Sequence, residues 1–173
     1  MRYRTAKVIL AFFILSNTAW GAQFRDGLPA FRAGNYEAAR DIWLPLAKNG
    51  NATAQFYLGY LYANDKGGIQ KNHSQTVKWW RMAAEQGNAA AQFNLGLYYE
   101  NGHGVERNLG EAIKLYRSAA DQLFPQALRF MADFYVQGKG VPAHIPTAHT
   151  LYLLAAKRGD RKSAQILKRL TPQ

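Results

Sequence analysis

The chain has 173 residues, with 22 lysines and arginines against 11 aspartates and glutamates and a formal net charge of +11. Hydrophobic residues make up 48% and aromatic residues 13%, ample for a core, which excludes wholesale disorder and a solvating basic tail. The sequence holds no cysteine, which excludes a disulfide framework, a thiolate metal site, a thiol nucleophile and a lipidated cysteine.

In chain order, Arg2, Arg4 and Lys7 precede the apolar run Val8-Ile9-Leu10-Ala11-Phe12-Phe13-Ile14-Leu15. Ala19-Trp20-Gly21 then places small residues at the −3 and −1 positions, with Ala22 as an alternative −1 residue. This order predicts a secretory signal peptide over residues 1–22. Eight residues rise about 12 Å as a helix against a hydrocarbon core of about 30 Å, so cleavage is expected rather than an anchor. The mature chain is expected to begin near Ala22 or Gln23, in the periplasm or outside the cell, with no later stretch of spanning length. Loss of three bases lowers the net charge to +8.

The remainder repeats itself. Gly50-Asn51-Ala52-Thr53-Ala54-Gln55-Phe56-Tyr57-Leu58-Gly59 and the ten residues from Gly87 to Gly96 share eight identities at a spacing of 37. Gly102-His103-Gly104-Val105 returns 36 residues later as Gly138-Lys139-Gly140-Val141. Trp43, Trp80, Tyr116 and Tyr152 keep the same beat. Each unit predicts two helices: one with apolar positions such as Ala91, Leu95, Tyr98 and Tyr99, and a second such as Leu109 to Gln122. A Gly-x-Gly turn separates them, because glycine reaches the positive φ that closes a helix. Gly87 and Gly159 stop helices and Pro125 opens one. A single hairpin cannot bury its apolar face, so the pattern predicts an all-α, right-handed α-solenoid of stacked antiparallel helix hairpins.

The units are expected as a tetratricopeptide-type hairpin at 23–52, turning at Gly34-Asn35, repeats at 53–88, 89–124 and a divergent 125–161, and a basic closing helix at 162–173. The motifs Ala-Gln-Phe-x-Leu-Gly-x-x-Tyr, Gly-x-Gly-Val and Ala-Ala-x-x-Gly resemble the Sel-one-like repeat, a relative of the tetratricopeptide repeat. Some cysteine-rich secreted members of that family are described as penicillin-binding or β-lactam-hydrolysing, but this chain lacks their disulfide in each repeat.

Catalytic and metal signals are sparse. His103 occupies a turn position where Lys139 stands one unit later, and His144 and His149 lie five apart, whereas helical metal pairs prefer a spacing of three or four. No phosphate loop, dinucleotide fingerprint, nucleophile elbow or zinc-protease helix occurs. Glu100, Glu106 and Glu111 flank one turn, and a carboxylate pair there would suit glycoside hydrolysis, but Glu111 also fits a helix N-terminus. No catalytic residue, metal or cofactor is therefore assigned. Trp79 and Trp80 fall in columns that are apolar in every unit and read as core.

The first helices of stacked hairpins of this type line a groove that holds peptides or partner proteins. Counting from the Leu-Gly pair, the groove candidates are Phe56, Tyr60, Phe93, Leu97, Asn101, Arg129, Asp133 and Gln137; the competing reading packs some of them against the adjacent hairpin. Lys157, Arg158, Arg161, Lys162, Lys168 and Arg169 place six bases and one acid in the last 17 residues. They form either a solvated cap or a contact with an anionic envelope surface. Export disfavours nucleic acid. The favoured function is an exported, non-catalytic scaffold for a protein or peptide partner. A cell-wall or β-lactam-acting enzyme and a peripheral binder of an anionic surface are the alternatives.

Overall fold

The computed structural model describes residues 21, 23–65 and 67–170, so the predicted leader lies almost wholly outside the described residues. Regular structure there is α-helical throughout: α1 Leu28–Arg32, α2 Tyr36–Lys48, α3 Ala52–Ala63, α4 His73–Glu85, α5 Ala89–Asn101, α6 Leu109–Asp121, α7 Pro125–Gln137, α8 Ile145–Lys157 and α9 Arg161–Leu170. The chain divides into two compact units, one ending at Thr76 and the other beginning at Val77, so α4 contributes residues to both.

Local chemistry explains where the helices start. The side chains of Asn35, Asn51, Asn88, Asn108, His144 and Asp160 each accept a backbone N–H three residues on. Such caps satisfy donors that a first helical turn leaves unpaired. The helix α7 differs: Phe124 precedes it without a side-chain cap, and Pro125 fills its first turn.

In the first unit α2 and α3 pair around Trp43, which is fully buried. Its ring lies 5.3 Å from Phe24, 5.5 Å from Phe31 and 4.9 Å from Tyr57, and its Nε1–H donates to the Phe24 carbonyl at 3.0 Å. Gly27 sits against the same indole so closely that a Cβ would collide with it. Buried Gln55 ties the hairpin by donating to the Ala47 carbonyl at 3.0 Å.

The second unit uses the same device 37 residues later, where Gln92 donates to the Ala84 carbonyl at 3.2 Å. Trp79 and Trp80 are buried there, the latter 4.9 Å from the Tyr98 ring, so both belong to the core as the repeat columns imply. The main cluster gathers Phe93, Ala112, Ile113, Tyr116, Leu128, Met131 and Phe134 from α5, α6 and α7. Gly96 faces Tyr116, whose Cε1 would lie 2.7 Å from an added Cβ. A smaller cluster, Ala132, Ala148 and Tyr152, joins α7 and α8 and receives Ile166 and Leu167 from α9.

Candidate functional site

The eight groove candidates separate into different environments. Phe56 and Tyr60, in the first unit, are half-buried: Phe56 meets Tyr57 edge-on at 5.3 Å, and Tyr60 meets Phe31 at 5.8 Å. Phe93 is buried, with its ring 5.6 Å from Tyr116, 5.5 Å from Phe124 and 5.1 Å from Phe130. Its place is the core and not a groove wall, because the hairpin stack buries the aromatic ring that a free wall would leave in water. Leu97 is half-buried against the same cluster. Asn101 is exposed and donates back to the Leu97 carbonyl at 2.8 Å, and Gln137 is exposed.

Arg129 and Asp133 are brought together with a residue outside that set, Asp160. The guanidinium donates to Asp133 and to Asp160 at 3.3 Å each and lies over the Phe130 ring at 4.8 Å. The Tyr152 phenol donates to the other oxygen of Asp133. Burial first, and then that bond to a carboxylate, push the Tyr152 phenol above its ordinary range.

Numbering by the 36-residue repeat exposes what changed. Phe93, Leu97 and Phe124 of the second repeat correspond to Arg129, Asp133 and Asp160 of the third, so an aromatic contact at 5.5 Å becomes an ion pair at 3.3 Å. Around this ion pair lies a cavity of about 460 Å³ lined by Pro125, Arg129, Arg158, Asp160, Arg161 and Lys162, among others. Of the six bases at the closing segment, Arg158, Arg161 and Lys162 line that cavity, whereas Lys157, Lys168 and Arg169 do not.

A second change lies at the Gly-x-Gly end. In the second repeat Glu100 accepts the Tyr116 phenol at 2.7 Å and pairs with Lys139 of the following turn. Burial, reinforced by Glu100, holds the Tyr116 phenol above its ordinary range. Gly140 of the same turn packs against Ile113 and Leu109. One repeat on, the counterparts of Glu100, Leu109 and Ile113 are Val136, Ile145 and His149. These three line an open, largely apolar cavity of about 480 Å³ with Pro146, Thr150 and Tyr152. Val136 is 45% exposed and Ile145 61%. The sequence pattern does not single them out, because an apolar residue at helical spacing reads as core; only the change of column from Glu100 to Val136 signals them.

The acids once eligible for catalysis have other partners or none. Glu111 lies in the first turn of α6 and pairs with Lys114 at 2.6 Å, Glu100 is engaged as described, and Glu106 is exposed. Among the described residues no group of three or more His, Asp or Glu side chains is placed to hold a metal, and no helix is long and apolar enough to cross a membrane.

Residues 52–88, 89–122 and 125–160 match the Sel1 repeat model, which together is more than half of the chain. Among solved structures, the chain is similar to a Sel1 repeat protein from Oxalobacter formigenes, with 32% identity and a TM-score of 0.77 over 81% of this chain and 57% of that one. It is also similar to c5321, a protective antigen of uropathogenic Escherichia coli strains displaying an SLR fold, with 32% identity and a TM-score of 0.78 over 86% of this chain and 32% of that one. The chain thus spans little more than half of the first protein and a third of the second. Cysteine-rich protein B of Helicobacter pylori shares the fold, with a TM-score of 0.57 at 17% identity over 83% of this chain and 96% of that one. No curated protein matches the sequence. The all-helical hairpins and these neighbours make the fold an α-solenoid.

Proposed function

Because the chain belongs to the Sel1 repeat family of helical-repeat scaffolds, we propose that it is an exported, non-catalytic scaffold that binds a protein partner through the third repeat, α7 and α8. One observation carries this reading: Glu100, which pairs with Lys139 in the second repeat, gives way to Val136 in the third, and Val136 and Ile145 stand exposed at a largely apolar cavity. Exposed apolar side chains at helical spacing beside a concavity suit the docking of a protein partner. Asp133, Val136 and Gln137 share one side of α7 at helical spacing, which continues the surface along the first helix, in the same columns as Leu97 and Asn101 on α5. Export rests on the leader-like residues 1–22.

A photo-crosslinking residue placed at Ile145 or Gln137, in cells, tests the assignment. One identifiable protein should be trapped at both positions, should be lost on Val136→Asp, and should not be trapped from exposed Arg117 on α6. Equal trapping from Arg117, or trapping indifferent to Val136→Asp, removes the third repeat as the site.

A further inference from the structure

The cavity between the start of α7 and the α8–α9 turn is not demanded by the stack. One repeat earlier the same columns hold Phe93 and Phe124, which pack on each other, with Phe93 also edge-on to Phe130, and seal the junction. In the third repeat they hold Arg129 and Asp160, and the columns around them hold Arg158, Arg161 and Lys162 in place of Gln122, Pro125 and Gln126. Four cations therefore face about 460 Å³ of space with one carboxylate among them.

That carboxylate is already committed. One oxygen of Asp160 accepts the Ser163 backbone N–H at 2.7 Å, which caps α9, and the other accepts Arg129 at 3.3 Å. Arg129 is fixed further by Asp133 and by the Phe130 ring beneath it, with its side chain only 15% exposed. Arg158, Arg161 and Lys162 are exposed and have no acidic partner among the described residues. Three uncompensated cations thus surround an arginine already held in place, in a concavity. A guanidinium offers paired N–H donors that match a carboxylate in geometry and charge.

We propose that this cavity receives acidic side chains of the bound protein, so that the partner presents a glutamate- or aspartate-rich segment to it. The inference rests on the protein-binding reading and adds the chemistry of what is bound. A bilayer is the poorer match. A flat anionic surface would draw on all six bases of the closing segment, whereas Lys157, Lys168 and Arg169 stand outside the concavity.

The test is fluorescence anisotropy of a fluorescein-labelled octaglutamate peptide, with octaglutamine as the control, on the purified chain at two salt concentrations. Two triple variants remove the same charge: Arg158→Gln/Arg161→Gln/Lys162→Gln inside the cavity, and Lys157→Gln/Lys168→Gln/Arg169→Gln outside it. Octaglutamate should bind at least about tenfold tighter than octaglutamine. The inner triple should lose about tenfold, and the outer triple no more than about twofold to threefold. Arg158→Lys with Arg161→Lys should bind more tightly than the inner triple but less tightly than the unaltered chain, with circular dichroism and melting unchanged throughout. Equal losses from the two triples, or equal affinity for the two peptides, overturn the proposal. So does cosedimentation with phosphatidylglycerol vesicles that both triples weaken alike while octaglutamate fails to bind. If octaglutamate fails but the Ile145 crosslink persists, the acidic chemistry falls and the protein-binding reading stands.

Discussion

The hairpins α5–α6 and α7–α8 are built in one frame, 36 residues apart, and differ in what they do with it. In the first, Asn88 caps α5, Gly96 admits the Tyr116 ring, Phe93 seals the junction, and Glu100 holds both Tyr116 and Lys139. In the second, Phe124 provides no cap, Ala132 stands where Gly96 stood, Arg129 replaces the sealing ring, and Val136 replaces the glutamate. Tyr152 turns its phenol to Asp133, in the Leu97 column, instead of to the Glu100 column. At these two positions the same backbone is thus filled by packing in the second repeat and opened into a charged cavity and an apolar one in the third. Function has room to enter a repeat array where a column ceases to serve packing.

The sharpest way to break this contrast is to truncate the two junction residues. Phe93→Ala removes a buried ring from a close-packed cluster and should cost about 3–5 kcal/mol in urea unfolding. Arg129→Ala, in the same column, leaves Asp160 its cap and Asp133 its phenol, and should cost about 1–2 kcal/mol. Equal losses would mean that the arginine is as structural as the ring. Next in size, Gly96→Ala forces a Cβ to within 2.7 Å of the Tyr116 ring and should cost about 1–3 kcal/mol by overpacking. Ala132→Gly, the reverse change one repeat on, should cost about 1–2 kcal/mol, from helix propensity and the loss of a buried methyl.

Alkaline pH probes both tyrosines. Both phenols are held above their ordinary range, mainly by burial and then by Glu100 or Asp133. An unfolded tyrosine loses its proton near pH 10, while the folded phenols keep theirs. The stabilisation is therefore fully present below about pH 10 and is lost as pH rises beyond it. The urea midpoint should hold up to about pH 10 and fall steadily as pH rises above it. Tyr116→Phe and Tyr152→Phe should each flatten that fall by about the same amount, because both folded phenols keep their protons over this range. A variant that leaves the fall unchanged would show that its phenol is not held protonated by the fold.

How much of this was legible in the chain follows from the period. Gly50-Asn51 and Gly87-Asn88 announce a helix stop and a cap, and the aromatic beat from Trp43 to Tyr152 places the core correctly, Trp79 and Trp80 included. Phe93 was misplaced because counting along one helix identifies a face but not whether the next hairpin covers it. The Arg129–Asp160 pair joins residues 31 apart, and the cavity around it depends on how α7 and the α8–α9 turn approach, which no spacing encodes. His144 illustrates the same limit at short range: as a sequence feature it is one of two histidines five apart, and in the fold its ring nitrogen accepts the Thr147 N–H at 3.2 Å and starts α8.

The smallest expected effect tests the most local difference. Leu123 has φ +60°, the described non-glycine residue in the left-handed region, where Gly87 and Gly159 stand in the neighbouring repeats at +85° and +94°. A β-carbon makes that conformation costly, by roughly 1 kcal/mol. Leu123 is nevertheless packed against the main cluster, which returns roughly the same amount through buried apolar surface. Leu123→Gly should therefore change stability by less than about 0.5 kcal/mol, because the relief of backbone strain offsets the apolar surface no longer buried. Gly87→Leu isolates the strain, because a Cβ there meets nothing within 4 Å, and should cost about 1 kcal/mol. If Leu123→Gly instead destabilises by as much as Gly87→Leu does, packing outweighs the strain, and the leucine belongs to the seal between the second and third repeats and not to the divergence of the third.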